Sequence, residues 1–179
     1  MRLRLCTLLI TCVILISISG CKHDEAREEG RANGGYLGRE FHLPPAKNVT
    51  PADIAKLKWI EGTWRGMDGE KPFFERYTIE ETAMVVESLK EDGSVDGEPA
   101  RFELKDGEFG KGEGEKRSVA SSITDTSVSF FPAVPGRGNS FEFQRQPDGT
   151  WHANLEWPAK DGQPSRHKTY NMEPWQPKK

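Results

Sequence analysis

Cysteine is scarce in this chain: of 179 residues, only Cys6, Cys12 and Cys21 carry a thiol. The first two fall in an apolar N-terminal run, so the body of the chain has no pair to form a disulfide or hold a metal. Histidine is equally sparse. His23 and His42 precede the patterned region, and His152 and His167 stand far apart within it, in no His-Glu-x-x-His spacing. No Gly-x-Ser-x-Gly elbow occurs. The segment Gly110-Lys111-Gly112-Glu113-Gly114 looks like a phosphate loop, but it carries acids and lacks a strand-to-helix setting, so it reads as a mobile hairpin tip. No catalytic, metal or cofactor set emerges. Charge of one sign is not clustered either. With 25 basic and 28 acidic residues interspersed, there is no basic stripe to hold phosphates, and nucleic acid is not an expected partner.

Long hydrophobic runs are missing except one, from Leu5 to Ile18, which is shorter than the ~20 residues of a membrane-spanning helix. Arg2 and Arg4 precede it and small residues follow, so residues 1–20 read as a secretory signal peptide rather than a single-span anchor. Its removal takes Arg2 and Arg4 away, leaving 23 basic against 28 acidic residues, a net charge of −5. Ile18-Ser19-Gly20-Cys21 resembles a bacterial lipobox. The resemblance implies that Cys21 is acylated, becomes the mature N-terminus and attaches the protein to a membrane of the bacterial cell envelope; several acyl chains anchor where one is marginal. Lys22, rather than Asp, after that Cys resembles the enteric pattern for transfer to the outer membrane, although the choice of membrane stays open. With Cys21 spent on lipid, the domain must rest on its core alone.

Residues 21–49 contain few apolar side chains, too few to offset the entropy of ordering them, and are expected to form a flexible tether. Order begins at Thr50-Pro51-Ala52-Asp53. Thr50 suits a helix N-cap, Pro51 the first helical position and Asp53 the first turn. Ile54 and Leu57 mark an apolar stripe, and Gly62 ends the helix after about three turns. From Trp64 the period becomes two. After the strand opening there, strands are predicted over 73–79, 82–89, 100–104, 116–124, 126–131, 140–145, 151–157 and 165–172, with Asp92-Gly93, Asp106-Gly107 and Pro147-Asp148-Gly149 as turns. About nine short strands with short connections predict an all-β, up-and-down domain over residues 50–173, followed by a tail at 174–179. Trp175, among prolines, is expected to be loosely docked or exposed.

A short helix before an up-and-down series is the layout of a calycin barrel, and Gly62-Thr63-Trp64 resembles the Gly-x-Trp motif at the first strand of lipocalins. More narrowly, Trp59-Ile60-Glu61-Gly62-Thr63-Trp64, Phe74-Glu75-Arg76-Tyr77, Ala83-Met84-Val85-Val86 and Phe141-Glu142-Phe143 through Asp148-Gly149-Thr150 resemble, in that order, bacterial lipocalin-like domains of unknown function. The likeness spans about residues 57–172 and departs at Phe131-Pro132-Ala133-Val134-Pro135, where those domains have a His-Asp-Phe-Pro-like segment. It implies a lipocalin-like β-barrel and no particular activity. It further implies that an Arg near the last strand packs over the Trp64 indole and closes the barrel floor; Arg166 is the candidate by position.

Charges that share a face with core residues are the remaining signal. Glu75 falls with Tyr77 and Ile79, Arg145 with Phe141 and Phe143, and Arg166 and Lys168 with Tyr170 and Met172. Inside a barrel such charges must be paired or meet a ligand; near strand ends they simply reach water. The first reading expects a small amphipathic ligand inside the barrel. Its apolar body would lie against Trp64, Tyr77, Met84, Phe102, Phe130, Phe141 and Phe143, and its polar end would meet Glu75, Tyr77, Arg145 or Lys168. The alternatives are an envelope interaction protein with a filled core, and a hydrolase or isomerase with Glu75 as base.

Overall fold

The computed structural model describes Pro45, Ala46 and residues 48–160 and 162–177. The expected signal peptide, Cys21 and most of the tether lie outside the described residues.

The helix forms where its signals stand. The Asp53 carboxylate accepts hydrogen bonds from the Thr50 N–H (3.0 Å), the Thr50 hydroxyl (2.8 Å) and the Lys56 ammonium (2.7 Å). These partners, Lys56 first, hold its pKa down at about 2. Helix α1 (Pro51–Ala55) tightens into a 3₁₀ segment (Lys56–Ile60), a common ending where a helix meets a turn. Gly62 then takes φ +132°, open to glycine alone, and the chain swings into strand β1.

Ten antiparallel strands follow: β1 (Gly62–Asp68), β2 (Lys71–Ile79), β3 (Ala83–Leu89), β4 (Ala100–Lys105), β5 (Glu108–Lys111), β6 (Ser118–Ile123), β7 (Ser127–Pro132), β8 (Ser140–Arg145), β9 (Trp151–Trp157) and β10 (Arg166–Pro174). Each pairs with the next, and β10 returns to β1 through Trp64↔Pro174 and Arg65↔Glu173, closing a barrel. The predicted all-β meander with a short helix is therefore the fold, with one strand more than expected. That strand is β5, in the segment read as a hairpin tip. It is short and weakly stitched, with three residue pairs to β4 and two to β6. Gly110 lets it lie against β6, since a Cβ there would sit 2.2 Å from the Ser118 carbonyl oxygen.

Alternation puts Trp64, Tyr77, Met84, Phe102, Phe109, Phe130, Phe143, Trp151 and Met172 inside, all buried. The helical segment plugs one end with Ile54, Leu57 and Ile60, none of which is exposed. Trp64 locks the plug by donating its indole N–H to the Ile60 carbonyl at 2.7 Å. Its ring stands edge-on to Trp151, centroids 5.9 Å apart, and Trp151 in turn meets Phe143 at 5.0 Å and Tyr77 at 5.3 Å. Chain on both sides of the barrel sequence is also held. The Val49 N–H bonds to the Gly107 carbonyl and the Ala46 N–H to that of Ala120. Trp175 is docked rather than loose: its N–H bonds to the Thr63 carbonyl, and its ring lies 4.2 Å from that of Phe74 on the outer wall.

Apart from apolar residues such as Phe74, Val119 and Phe131, the outward face is polar. It carries the ion pairs Arg76–Glu87, Arg65–Glu173 and Arg101 with Glu80 and Glu103. Ser129, Glu142, Asn154 and Thr169 form one cross-strand row. Exposed pairs of this kind add little stability; they make a wall suited to water.

Trp64→Phe leaves the Ile60 carbonyl without its indole donor in a closed core and is expected to cost about 1–3 kcal/mol. Urea denaturation followed by circular dichroism measures this. An unchanged midpoint would remove Trp64 from the plug.

Candidate functional site

Antiparallel order fixes two unlike ends. The plugged end gathers Trp64, Ile79, Met84 and Trp151, while the far end gathers Asp68, Phe73, Trp157 and Lys168. Between them, side chains of the open half, among them Phe73, Val86, Phe141, Leu155 and Tyr170, are only partly buried. They form a chamber floored by the packed aromatic layer.

Glu75 enters this chamber from β2. Its carboxylate accepts a hydrogen bond from the Tyr77 hydroxyl at 2.7 Å, two residues along the same face. Burial raises the Glu75 pKa above the usual carboxylate value, against the opposing pull of Tyr77 and of Lys111. Tyr77, enclosed and beside that carboxylate, is held well above its ordinary value and stays a donor.

Lys111 arrives from β5, on the same inward parity as Phe109. Its ammonium lies 5.0 Å from the ring centre of Phe102 and 5.6 Å from that of Phe141, a cation–π seat. Burial lowers its pKa while Glu75 opposes the fall. Among the described residues it makes no hydrogen bond or ion pair within 4 Å. The sequence contained a signal for it, because Phe109 and Lys111 continue the period of two; the flanking glycines hid that strand.

The other expected charges stand elsewhere. Lys168 is at the rim of the open end, paired with Asp68 and 4.8 Å from the Tyr170 ring centre. Arg145 keeps the inward parity of Phe143 but ends β8 opposite Trp151, at the plugged end, and is exposed. Arg166 does not meet Trp64. Trp64 pairs with Pro174, eight residues and roughly 26 Å along β10 from Arg166, and the guanidinium sits over Trp157 at 5.4 Å. The barrel floor is closed by the helix and Trp151 instead. Of the expected apolar walls, Trp64, Tyr77, Met84, Phe102, Phe130 and Phe143 are committed to the core, and Phe141 alone is only partly buried.

A recess of about 550 Å³ crosses the rim beside β2 and β3, with Phe73, Glu75 and Ser88 among its lining residues. One of about 560 Å³ lies at the plugged end against Trp64 and Trp175. The former is the chemically significant one, because it reaches a sheltered carboxyl. Among the described residues no three His, Cys, Asp or Glu side chains converge, and none of their helices is long and apolar enough to cross a membrane.

No protein-family model matches the chain, and no curated protein matches it.

Because the folded pKa of Glu75 is raised, its contribution to stability is fully present below the unfolded value near 4.5 and is lost as pH rises through the folded value. Glu75→Gln is therefore expected to melt higher than the parent at pH 7 and to lose that part of the pH dependence in thermal scans from pH 4 to 8. Arg166→Ala, at an exposed strand end, is expected to change stability by no more than about 0.5 kcal/mol. A larger drop in urea denaturation would restore a structural role for that side chain.

Proposed function

We propose that this is a lipid-anchored envelope protein that binds a small amphipathic molecule in the open half of its barrel without catalysis. The observation that carries the reading is the pair of sheltered, incompletely matched charges, Glu75 and Lys111, facing a half-buried aromatic chamber. Desolvating a carboxylate and an ammonium without a direct ion pair costs stability, a cost that a guest would offset. Small barrels commonly hold one ligand in this position. The packed layer of Tyr77, Phe143 and Trp151 limits the depth, so the guest is compact, with its body against Phe141, Leu155 and Tyr170. Attachment through an acylated Cys21 belongs to the same proposal and rests on the lipobox-like segment.

The filled-core interaction protein draws support from the solid packing of the plugged half. The hydrolase or isomerase reading has one observation in its favour, the 2.7 Å contact of Glu75 with Tyr77. Against it, the hydroxyl across from Glu75, that of Ser88 on β3, is exposed and makes no hydrogen bond with that carboxylate, and no set of oxyanion donors is gathered beside the pair among the described residues.

Native mass spectrometry of protein extracted from its membrane is expected to show a mature chain beginning at Cys21 with acyl mass increments, and a 1:1 adduct of a few hundred daltons. Leu155→Trp, which fills the chamber, is expected to lose the adduct while staying folded. A ligand-free spectrum from gently extracted parent protein would favour the filled-core reading.

A further inference from the structure

The charges that face inward can be counted strand by strand. Asp68 on β1 and Lys168 on β10 pair with each other at the rim. Arg145 on β8 is exposed at the plugged end, and Lys71 on β2 and Arg166 on β10 are exposed at the open rim, Arg166 over the Trp157 ring. Tyr77 on β2 and Tyr170 on β10 are the inward phenols. The inward residues of β3, β4, β6, β7 and β9 in this half are Ser88, Val86, Ala100, Phe102, Ser118, Pro132, Leu155 and Trp157, none of which titrates. Among the described residues, the sheltered charges left without an ion-pair partner are Glu75 and Lys111, and they are not equivalent. Glu75 already receives a hydrogen bond from Tyr77. Lys111 has three donors resting against the faces of Phe102 and Phe141 and no acceptor among the described residues.

This asymmetry selects the sign of the guest. We propose that the site recognises an amphipathic anion, whose acidic group accepts hydrogen bonds from Lys111 while Glu75 takes up one proton as the guest enters. A cationic guest would leave Lys111 unmatched and add a like charge to the same chamber. An anion satisfies Lys111, and the one remaining conflict, with the Glu75 carboxylate, is removed by protonation, towards which burial already inclines that group. The chamber is then neutral, with guest anion and Lys111 matched and Glu75 uncharged. Linkage follows: affinity rises as pH falls across the range in which the free site loses its proton, at most tenfold per pH unit for one proton.

The inference rests on the binding reading, and two dyes with nearly the same body separate the two. 1-Anilinonaphthalene-8-sulfonate keeps its negative charge throughout, whereas N-phenyl-1-naphthylamine has no charge. Fluorescence titrations would use protein purified with Cys21→Ser, so that acyl chains do not compete, between pH 5 and 8.5. The expected result is tighter binding of the sulfonate at lower pH and a nearly flat profile for the neutral dye. Lys111→Met is expected to weaken the sulfonate by about tenfold or more and the neutral dye by less than twofold. Glu75→Gln is expected to flatten the sulfonate profile, leaving only the slope that Lys111 contributes at the alkaline end. Neutral-dye binding with no preference for the sulfonate, or a sulfonate profile indifferent to pH or to Lys111→Met, would overturn the anion inference and leave the binding reading standing. If neither dye binds at 1:1 stoichiometry, both fall.

Discussion

The hydrogen bond from the Trp64 indole to the Ile60 carbonyl is the constraint from which the rest of the barrel takes its bearings. It ties the last residue of the helical segment to the first inward side chain of β1. The helix cannot swing aside without leaving a buried donor and acceptor unpaired. Around that tie the rings of Trp151, Tyr77 and Phe143 meet edge-to-face, the arrangement that aromatic quadrupoles favour. One end of the barrel is thereby a core in the ordinary sense. The guest proposed for this barrel is therefore assigned to the other end.

That division explains the behaviour of the inward charges. Position along a strand, rather than parity alone, decides whether an inward charge is sheltered. Arg145 and Lys168 have the parity of core residues but lie at strand ends, where one reaches water and the other a carboxylate. Glu75 lies mid-strand, where water is scarce and a tyrosine on its own face is the nearest partner. Lys111 ends a strand too short to carry it to the rim, and it remains over two phenylalanine rings.

Much of this was legible in the residues. Thr50, Pro51 and Asp53 announced the helix start, and the alternation of Phe141 with Phe143 and of Trp151 with Leu155 and Trp157 gave the inward face. Glu75 and Tyr77 were placed together by a spacing of two. What the pattern did not reveal was long-range. The pairing of Arg166 with Trp157 rather than Trp64 depends on the direction in which β10 crosses the barrel, which a motif-based comparison does not register. β5 was hidden because Gly110 and Gly112 resemble punctuation, although Gly110 is there to let two strands approach closely.

β5 also links mechanics to chemistry. A four-residue strand with two residue pairs on one side is, with the β1–β10 closure, among the most sparsely paired seams of the wall, and the ammonium of the chamber rides on its last residue. Small displacements of this seam would move a positive charge relative to a fixed carboxylate on β2 without disturbing the plugged half. The barrel thus combines a densely packed base with one sparsely paired stave, and that stave carries the positive charge of the chamber.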